Sequence, residues 1–173
     1  MQIGTFLPVE KEYVIDIDIS DYDNVRLCGC KDAKFCAKCW PLMKCGMKVL
    51  DYLLSTCFGF SQLLWIYSGR RGVHCWVSDA TAKGMDNEAR SAVTDFLHIY
   101  SGSDKTGKRL TFNTAYPHPT FDLESDVATI CEKYFVEMYC DSYSENSMDI
   151  FASKERWQKI VDLIDANGMH RNR

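Results

Sequence analysis

Nowhere in its 173 residues does the sequence carry a run of about 18 apolar residues, so no helical membrane span is expected. The first residues, MQIGTFLPVEKEYV, lack the basic start, apolar stretch and small-residue cleavage site of a secretory signal, and the expectation is an intracellular protein. There is no internal repeat and no low-complexity tract, which argues against a repeat architecture. Basic charge is not in excess either. Lys and Arg number 20 against 24 Asp and Glu, a net charge of -4, so nothing draws the chain globally to nucleic acid. Phosphate binding would have to come from local clusters of Arg and Lys, and bulk charge neither supports nor excludes a polynucleotide partner.

What is present is the composition of one packed core: 46% of residues are hydrophobic and 13% aromatic, enough for a single domain of this length. YVIDIDI alternates apolar and polar residues at period two, which predicts a strand over Tyr13 to Ile19 with Tyr13, Ile15, Ile17 and Ile19 on one face. DYDNVRLCGCKDAKFCAKC has no period and reads as loop. CWPLMKCGMKVLDYLLSTCFGF then predicts a helix with Trp40, Met43, Met47, Leu50 and Leu54 along one stripe, Pro41 in its first turn and Gly59 just past its end. LLWIYS, SGRRG and VHCWVSD read as strand, tight turn and returning strand.

A helix is predicted from about Asn87 to Tyr100, with Ala89, Val93, Phe96, Leu97 and Tyr100 inward, and SGSDKTGKR reads as a polar, mobile loop. Two further helices are expected, from about Leu123 to Cys140 and, after Ser153 as cap, from Lys154 to Ile164. Trp157, Ile160, Val161 and Ile164 form the predicted buried stripe of the second. Strands cluster before residue 80 and helices dominate after it, so the class is mixed α/β of the α+β kind.

Three local features carry chemistry. Side chains two apart on a strand point the same way with roots roughly 6.5 to 7 Å apart, so Asp16 and Asp18 converge and repel. Mg²⁺ or Mn²⁺ would remove that penalty, and two such ions can activate an attacking hydroxyl and stabilise a leaving phosphate. Alternation with a solvent-facing Asp side explains the pair as well, although Asp is disfavoured in strands.

Cys28, Cys30, Cys36 and Cys39 follow the spacing C-x-C-x5-C-x2-C, compact enough for four thiolates to reach one tetrahedral Zn²⁺. Ordinary free or buried thiols, or a redox pair at Cys36 and Cys39, are the alternatives. Cys45, Cys57, Cys75, Cys131 and Cys140 are scattered and read as small packed hydrophobes. Finally, SGRRGVH gathers Ser68, Arg70, Arg71 and His74 about a glycine-flanked turn, where guanidinium forks, a hydroxyl, an imidazole and turn amides would cradle a triphosphate. A solvated basic turn is the plainer reading of that segment by itself. Beside a metal-binding carboxylate pair, it becomes equipment for nucleotidyl transfer.

Taken in order, VIDIDISDYDNVR, the cysteine cluster ending CAKCW, FGF and LLWIYSGRRGVHCWVSD resemble the small, catalytic subunit of the archaeo-eukaryotic DNA primases in its eukaryotic form. The similarity is clear from about Gly4 to Asp79 and looser through KRLTF and the SKERWQKI helix. The resemblance implies a primase fold, with an RRM-like catalytic element, a zinc-binding insertion and helical decoration. Residues 1–173 would be one catalytic-domain fragment, with catalytic strand and loop over 13–27, zinc insertion over 28–39, nucleotide hairpin over 62–79 and a mainly helical part over 86–165.

It further implies synthesis of short RNA primers on single-stranded DNA from ribonucleoside triphosphates, in the nucleus, away from any membrane. Its partners would be a large primase subunit with an iron-sulfur cluster and the replicative DNA polymerase complex. By the same resemblance Asp16 and Asp18 match the metal-binding aspartates, Ser68, Arg70, Arg71 and His74 the nucleotide-phosphate contacts, and the four cysteines the zinc ligands.

Two departures stand out. The family's first two cysteines are usually adjacent, whereas Gly29 separates them here. The family's third catalytic aspartate, on a strand well downstream, has no counterpart at the expected place, and Asp122 in YPHPTFDLESDV falls before the helical region. The expectation is an internal piece of a longer subunit, weakly active or inactive alone. The alternatives are a noncatalytic zinc-bearing interaction module of the same fold and a repair-type primase-polymerase.

Overall fold

Most of the alternating run, Tyr13–Asp18, forms strand β1 in the computed structural model, which describes residues 9–98, 100–103, 108–112 and 121–166. A short 3-10 turn, Ile19–Tyr22, and the cysteine loop lead to α1, Trp40–Phe58. Pro41 sits in the first turn of α1, where no amide partner is required, and Gly59 ends it in the left-handed conformation. Strands β2, Leu63–Tyr67, and β3, Gly72–Val77, form the expected hairpin.

The sheet order is β1-β3-β2, antiparallel throughout, so the returning strand of the hairpin occupies the centre and β1 lies along its free edge. Because side chains alternate across a strand, this register sorts the residues into two faces. Tyr13, Ile17, Val73, Cys75 and Val77 are buried on one face, against α1 and its neighbours, with Ile15 and Trp65 partly buried among them. Val14, Asp16 and Asp18 of β1, Gly72, His74 and Trp76 of β3, and Leu64 and Ile66 of β2 make up the other. The α1 stripe falls as expected: Met43 and Leu54 are fully buried, while Trp40, Met47 and Leu50 pack partly buried against the core. Each fully buried side chain of this size is worth about 1.5–3 kcal/mol.

After β3 come α2, Ala80–Lys83, and α3, Asn87–Leu97, the latter capped by the Asp86 carboxylate, which accepts from the Ala89 amide at 2.8 Å. Arg90 of α3 secures the start of β1, donating to the Glu12 carbonyl at 2.9 Å with its guanidinium 5.8 Å from the Tyr13 ring. Val93 is buried and Phe96 and Leu97 pack inward, as the pattern predicts. Tyr100 does not extend the helix. It opens β4, Tyr100–Ser103, which pairs with β5, Lys108–Phe112, in a second, two-stranded sheet, Tyr100 lying opposite Phe112. SGSDKTGKR is therefore strand at both ends, and residues 104–107 lie outside the described part.

The helix predicted from Leu123 is α4, Phe121–Phe135, whose last turn widens into a π-helical turn, Val136–Cys140. Helix α5, Lys154–Ala166, follows Ser153. Its expected stripe is not buried as a whole: Trp157 and Val161 are each 36% exposed, and the side chains of Ile160 and Ile164 lie outside the described residues. The α+β class holds, with strands on both sides of residue 80. Among the described residues no helix is long and apolar enough to cross a membrane.

Candidate metal and nucleotide site

Strand pairing brings the two aspartates and the hairpin together. Asp16 lies directly across from His74, and Asp18 directly across from Gly72. The Asp16 Oδ1 is 3.2 Å from His74 Nε2, and Asp18 Oδ2 is 2.6 Å from Arg71 Nε. The carboxylates differ in surroundings. Asp16 is open, its side chain 60% exposed; Asp18 is 18% exposed and caps the 3-10 turn, accepting from the Ser20 amide at 2.9 Å and the Ser20 hydroxyl at 2.8 Å. Burial works to raise the Asp18 pKa, but the two Ser20 bonds and the Arg71 charge outweigh it and hold the carboxyl below its ordinary value.

The turn is shaped around the carboxylates. Ser68 and Gly72 exchange bonds, the Ser68 amide donating to the Gly72 carbonyl at 2.9 Å and the Gly72 amide to the Ser68 hydroxyl at 3.0 Å. The Ile19 amide donates to the Arg71 carbonyl at 2.9 Å, which ties the turn to the end of β1. A Cβ on Gly72 would stand 3.0 Å from Asp16 Oδ1 and 3.1 Å from the Ile17 carbonyl, so any larger residue would need the Asp16 side chain and the β1 backbone to give way. Ser68, Arg70 and Arg71 are exposed and His74 is half-buried, leaving the basic groups open to a ligand on the carboxylate side. Asp122, the downstream lookalike, lies in the first turn of α4.

The cysteine loop closes as its spacing predicts. The sulfurs of Cys28, Cys30, Cys36 and Cys39 all lie within 4.8 Å of one another, those of Cys36 and Cys39 at 3.9 Å. Four thiolates about 2.3 Å from a tetrahedral zinc stand roughly 3.8 Å apart, so the donor set could hold such an ion with little movement. Gly29, at φ 84, takes the left-handed turn that swings Cys28 and Cys30 toward the same point, which the separated spacing requires. Burial pushes the Cys30 thiol up to about 12. Cys36 also feels burial, yet the Cys39 and Lys38 amides draw it down to about 7.

Of the remaining cysteines, Cys75 behaves as expected, fully buried with its thiol pushed up to about 12. Cys57 and Cys131 do not: both are exposed, and a hydrogen bond from Cys45 on α1 lowers the Cys131 thiol to about 7.

The residues that lock the loop include Arg26 and Asp23 of VIDIDISDYDNVR and Arg156 of SKERWQKI, to which the sequence alone assigns no role. Arg26 is buried, pairs with Asp23 and donates to the Asp32 carbonyl at 3.0 Å and to that of Lys34. Asp23 in turn accepts from the Asp32 amide at 3.1 Å. Tyr139 of the π-helical turn donates to the Val25 carbonyl at 2.8 Å, and Arg156 of α5 to the Leu27 carbonyl at 3.1 Å. Met138, Tyr139 and Met148 complete the core against Ile17, Ile19 and Cys39. A buried arginine on backbone carbonyls is invisible to periodicity. The signal available was its place at the end of VIDIDISDYDNVR, a stretch that carries the family resemblance.

Comparison with known proteins places the chain in one lineage. A family model described as DNA primase small subunit matches residues 15–172. The chain is 46% identical over 161 residues to a DNA primase small subunit of Drosophila melanogaster, covering 93% of this chain and 35% of that protein. It is 37% identical over 164 residues to one from Schizosaccharomyces pombe, covering 93% and 34%. With that of Saccharomyces cerevisiae it shares 41% over 117 residues, covering 67% and 28%. The chain thus spans about a third of the length of these relatives. Matched along nearly all of its own length, the chain belongs to the DNA primase small subunit family.

Proposed function

We propose that the protein to which this chain belongs synthesises short RNA primers on single-stranded DNA, transferring nucleotidyl groups from ribonucleoside triphosphates. The interleaving of Asp16 and Asp18 with Arg71 and His74 on one sheet face carries the reading. Asp16 and Asp18 would hold Mg²⁺ or Mn²⁺, which when bound supplies charge for the attacking hydroxyl and the departing pyrophosphate. The triphosphate takes over the Arg71 guanidinium and frees Asp18 Oδ2. His74, Arg70 and the Ser68 hydroxyl complete the cradle. Cys28, Cys30, Cys36 and Cys39 would hold Zn²⁺, which when bound would keep the loop folded. A large primase subunit, the replicative polymerase complex and a nuclear location belong to the same reading.

One observation favours a second reading, a noncatalytic zinc-bearing module: each carboxylate already has a basic partner, so the fold needs no ion on that face. Primer synthesis by the full-length protein with its large subunit, beside Asp16→Ala and Asp18→Ala, separates the two. Synthesis is expected to fall at least a hundredfold in each variant, and undiminished activity would remove these residues from the site. The 173-residue chain alone is expected to bind nucleotide with Mn²⁺, to lose it on Arg71→Ala, and to make little primer. No nucleotide binding would favour the module.

A further inference from the structure

We propose that Cys45 and Cys131 form a peroxide-responsive thiol pair, closing to a disulfide that clasps α4 to α1. Tyr52 of α1 donates to the Asp126 carboxylate of α4, and Val49 and Tyr52 pack on the cluster of Leu53 and Val127. Toward the other end of the contact, Lys44 and Met47 of α1 share a cavity wall with Tyr134 of α4. Residue numbers fall along α1 as they rise along α4, so the two helices run antiparallel. Side chains four apart lie over one another on a helix face. Cys45 precedes Val49 by four and Cys131 follows Val127 by four, which sets the two thiols on the next rung of the contact. They meet there as a hydrogen-bonded pair.

Tyr22 marks the same place from the side of the 3-10 turn. A Cβ on Gly46 would stand 3.4 Å from its hydroxyl, which puts that hydroxyl beside Cys45 on α1. Burial raises the Tyr22 pKa, and charge on Cys45, Asp21 and Cys131 raises it further, as follows when both sulfurs lie near the ring. The two cysteines differ in what can reach them: Cys131 is exposed and Cys45 half-buried. The bond from Cys45 draws the Cys131 thiol down to about 7, and the same bond, together with burial, pushes Cys45 up. Cys131 therefore supplies an accessible thiolate and Cys45 a resolving partner, the division of labour of a redox thiol pair. Cys57, also exposed on α1, is the internal contrast, because partial burial of its sulfur raises its pKa instead.

The oxidant is hydrogen peroxide. The Cys131 thiolate attacks one of its oxygens, the S–O bond forming as the O–O bond breaks, and the departing hydroxide takes the Cys45 thiol proton to leave as water. The Cys45 thiolate then attacks the sulfenic sulfur, the S–S bond forming as the S–O bond breaks, and the second hydroxide takes a proton from solvent. Two sulfurs are oxidised and one peroxide is reduced. The bridge would join the helix that follows the cysteine loop to the helix that runs into the π-helical turn packed against that loop.

For the test, the reduced 173-residue chain, held with equimolar Zn²⁺, is exposed to limiting hydrogen peroxide, its free thiols are alkylated and its peptides are mapped by mass spectrometry. A peptide linking Cys45 to Cys131 is expected, reversed by dithiothreitol, with Cys131 consumed about tenfold faster than Cys57. In Cys45→Ser the sulfenic acid should persist on Cys131 and take dimedone, whereas Cys131→Ser should give neither a label at Cys45 nor a link. Amide exchange over α4 should slow about fivefold or more on oxidation of the unaltered chain, and not in Cys45→Ser. Consumption of Cys131 no faster than that of Cys57, or its linkage to any cysteine other than Cys45, would overturn the pairing. Exchange that does not slow would overturn the clasp.

Discussion

The cysteine loop and the aspartate face both gather groups suited to a cation, and they do so by opposite means. The four cysteines come from one segment of twelve residues, closed over a buried Arg26 and backed by the main core, with Cys39 fully buried. The aspartate face is assembled across β1, β3 and the turn between β2 and β3, with Asp16 open to solvent and both carboxylates held by basic neighbours. The first is closed by its own segment and the core behind it; the second is held by side-chain pairs with Arg71 and His74. A structural ion suits a site that closes on itself, and a reacting nucleotide suits one whose charges can be exchanged.

The widest gap between the two regions should appear on breaking the first. Cys39→Ser, or stripping metal with a chelator, is expected to cost ~3 kcal/mol or more, a drop of about 6–12 °C in melting temperature, while Cys57→Ser, at an exposed position, leaves melting unchanged. Equal melting for both variants would erase the contrast. Gly72→Ala tests where the two means meet, because its Cβ would press on both Asp16 and the β1 backbone. A loss of about 1–3 kcal/mol in denaturant unfolding is expected, with weakened nucleotide binding, whereas a neutral result would show that the turn is not constrained by the carboxylates. The smallest stability effect belongs to Asp16→Asn. Its exposed bond to His74 is worth about 0–1 kcal/mol, so unfolding should barely move while Mn²⁺-dependent nucleotide binding falls at least tenfold. A large stability loss there would make the aspartate face structural as well.

Much of this was legible in the chain. The period-two run became β1, Pro41 and Gly59 bracketed α1, and SGRRG turned the hairpin, because each rests on local rules of side-chain spacing and backbone freedom. The register that sets Asp16 against His74 follows from neither strand alone, since β1 reaches β3 across more than fifty residues. YSGS reads as the end of a helix and the start of a loop because Tyr100 continues an apolar stripe and the residues after it are polar with a glycine. Its strand character comes from pairing with KRLTF, a partner that no local pattern announces. In α5 the helical period identified a stripe but not what covers it, and Trp157 stays partly exposed. Arg26 and Arg156 fall in stretches that carry the resemblance, but their clamping roles were not legible for a related reason: their partners are backbone carbonyls, whose positions depend on the folded path rather than on any residue type.

The Arg156 bond to the Leu27 carbonyl has a consequence in time. The cysteines precede that arginine by nearly 120 residues, and at a synthesis rate of about 5–20 residues per second the interval is roughly 6–24 s. For that span the emerging loop lacks the clasp from α5 and from the π-helical turn that buries Cys39, so its thiols face the surroundings while the chain lengthens. A metal ion, if these thiols take one, would therefore reach them before the domain is complete, and the later helices would close over the loop afterwards.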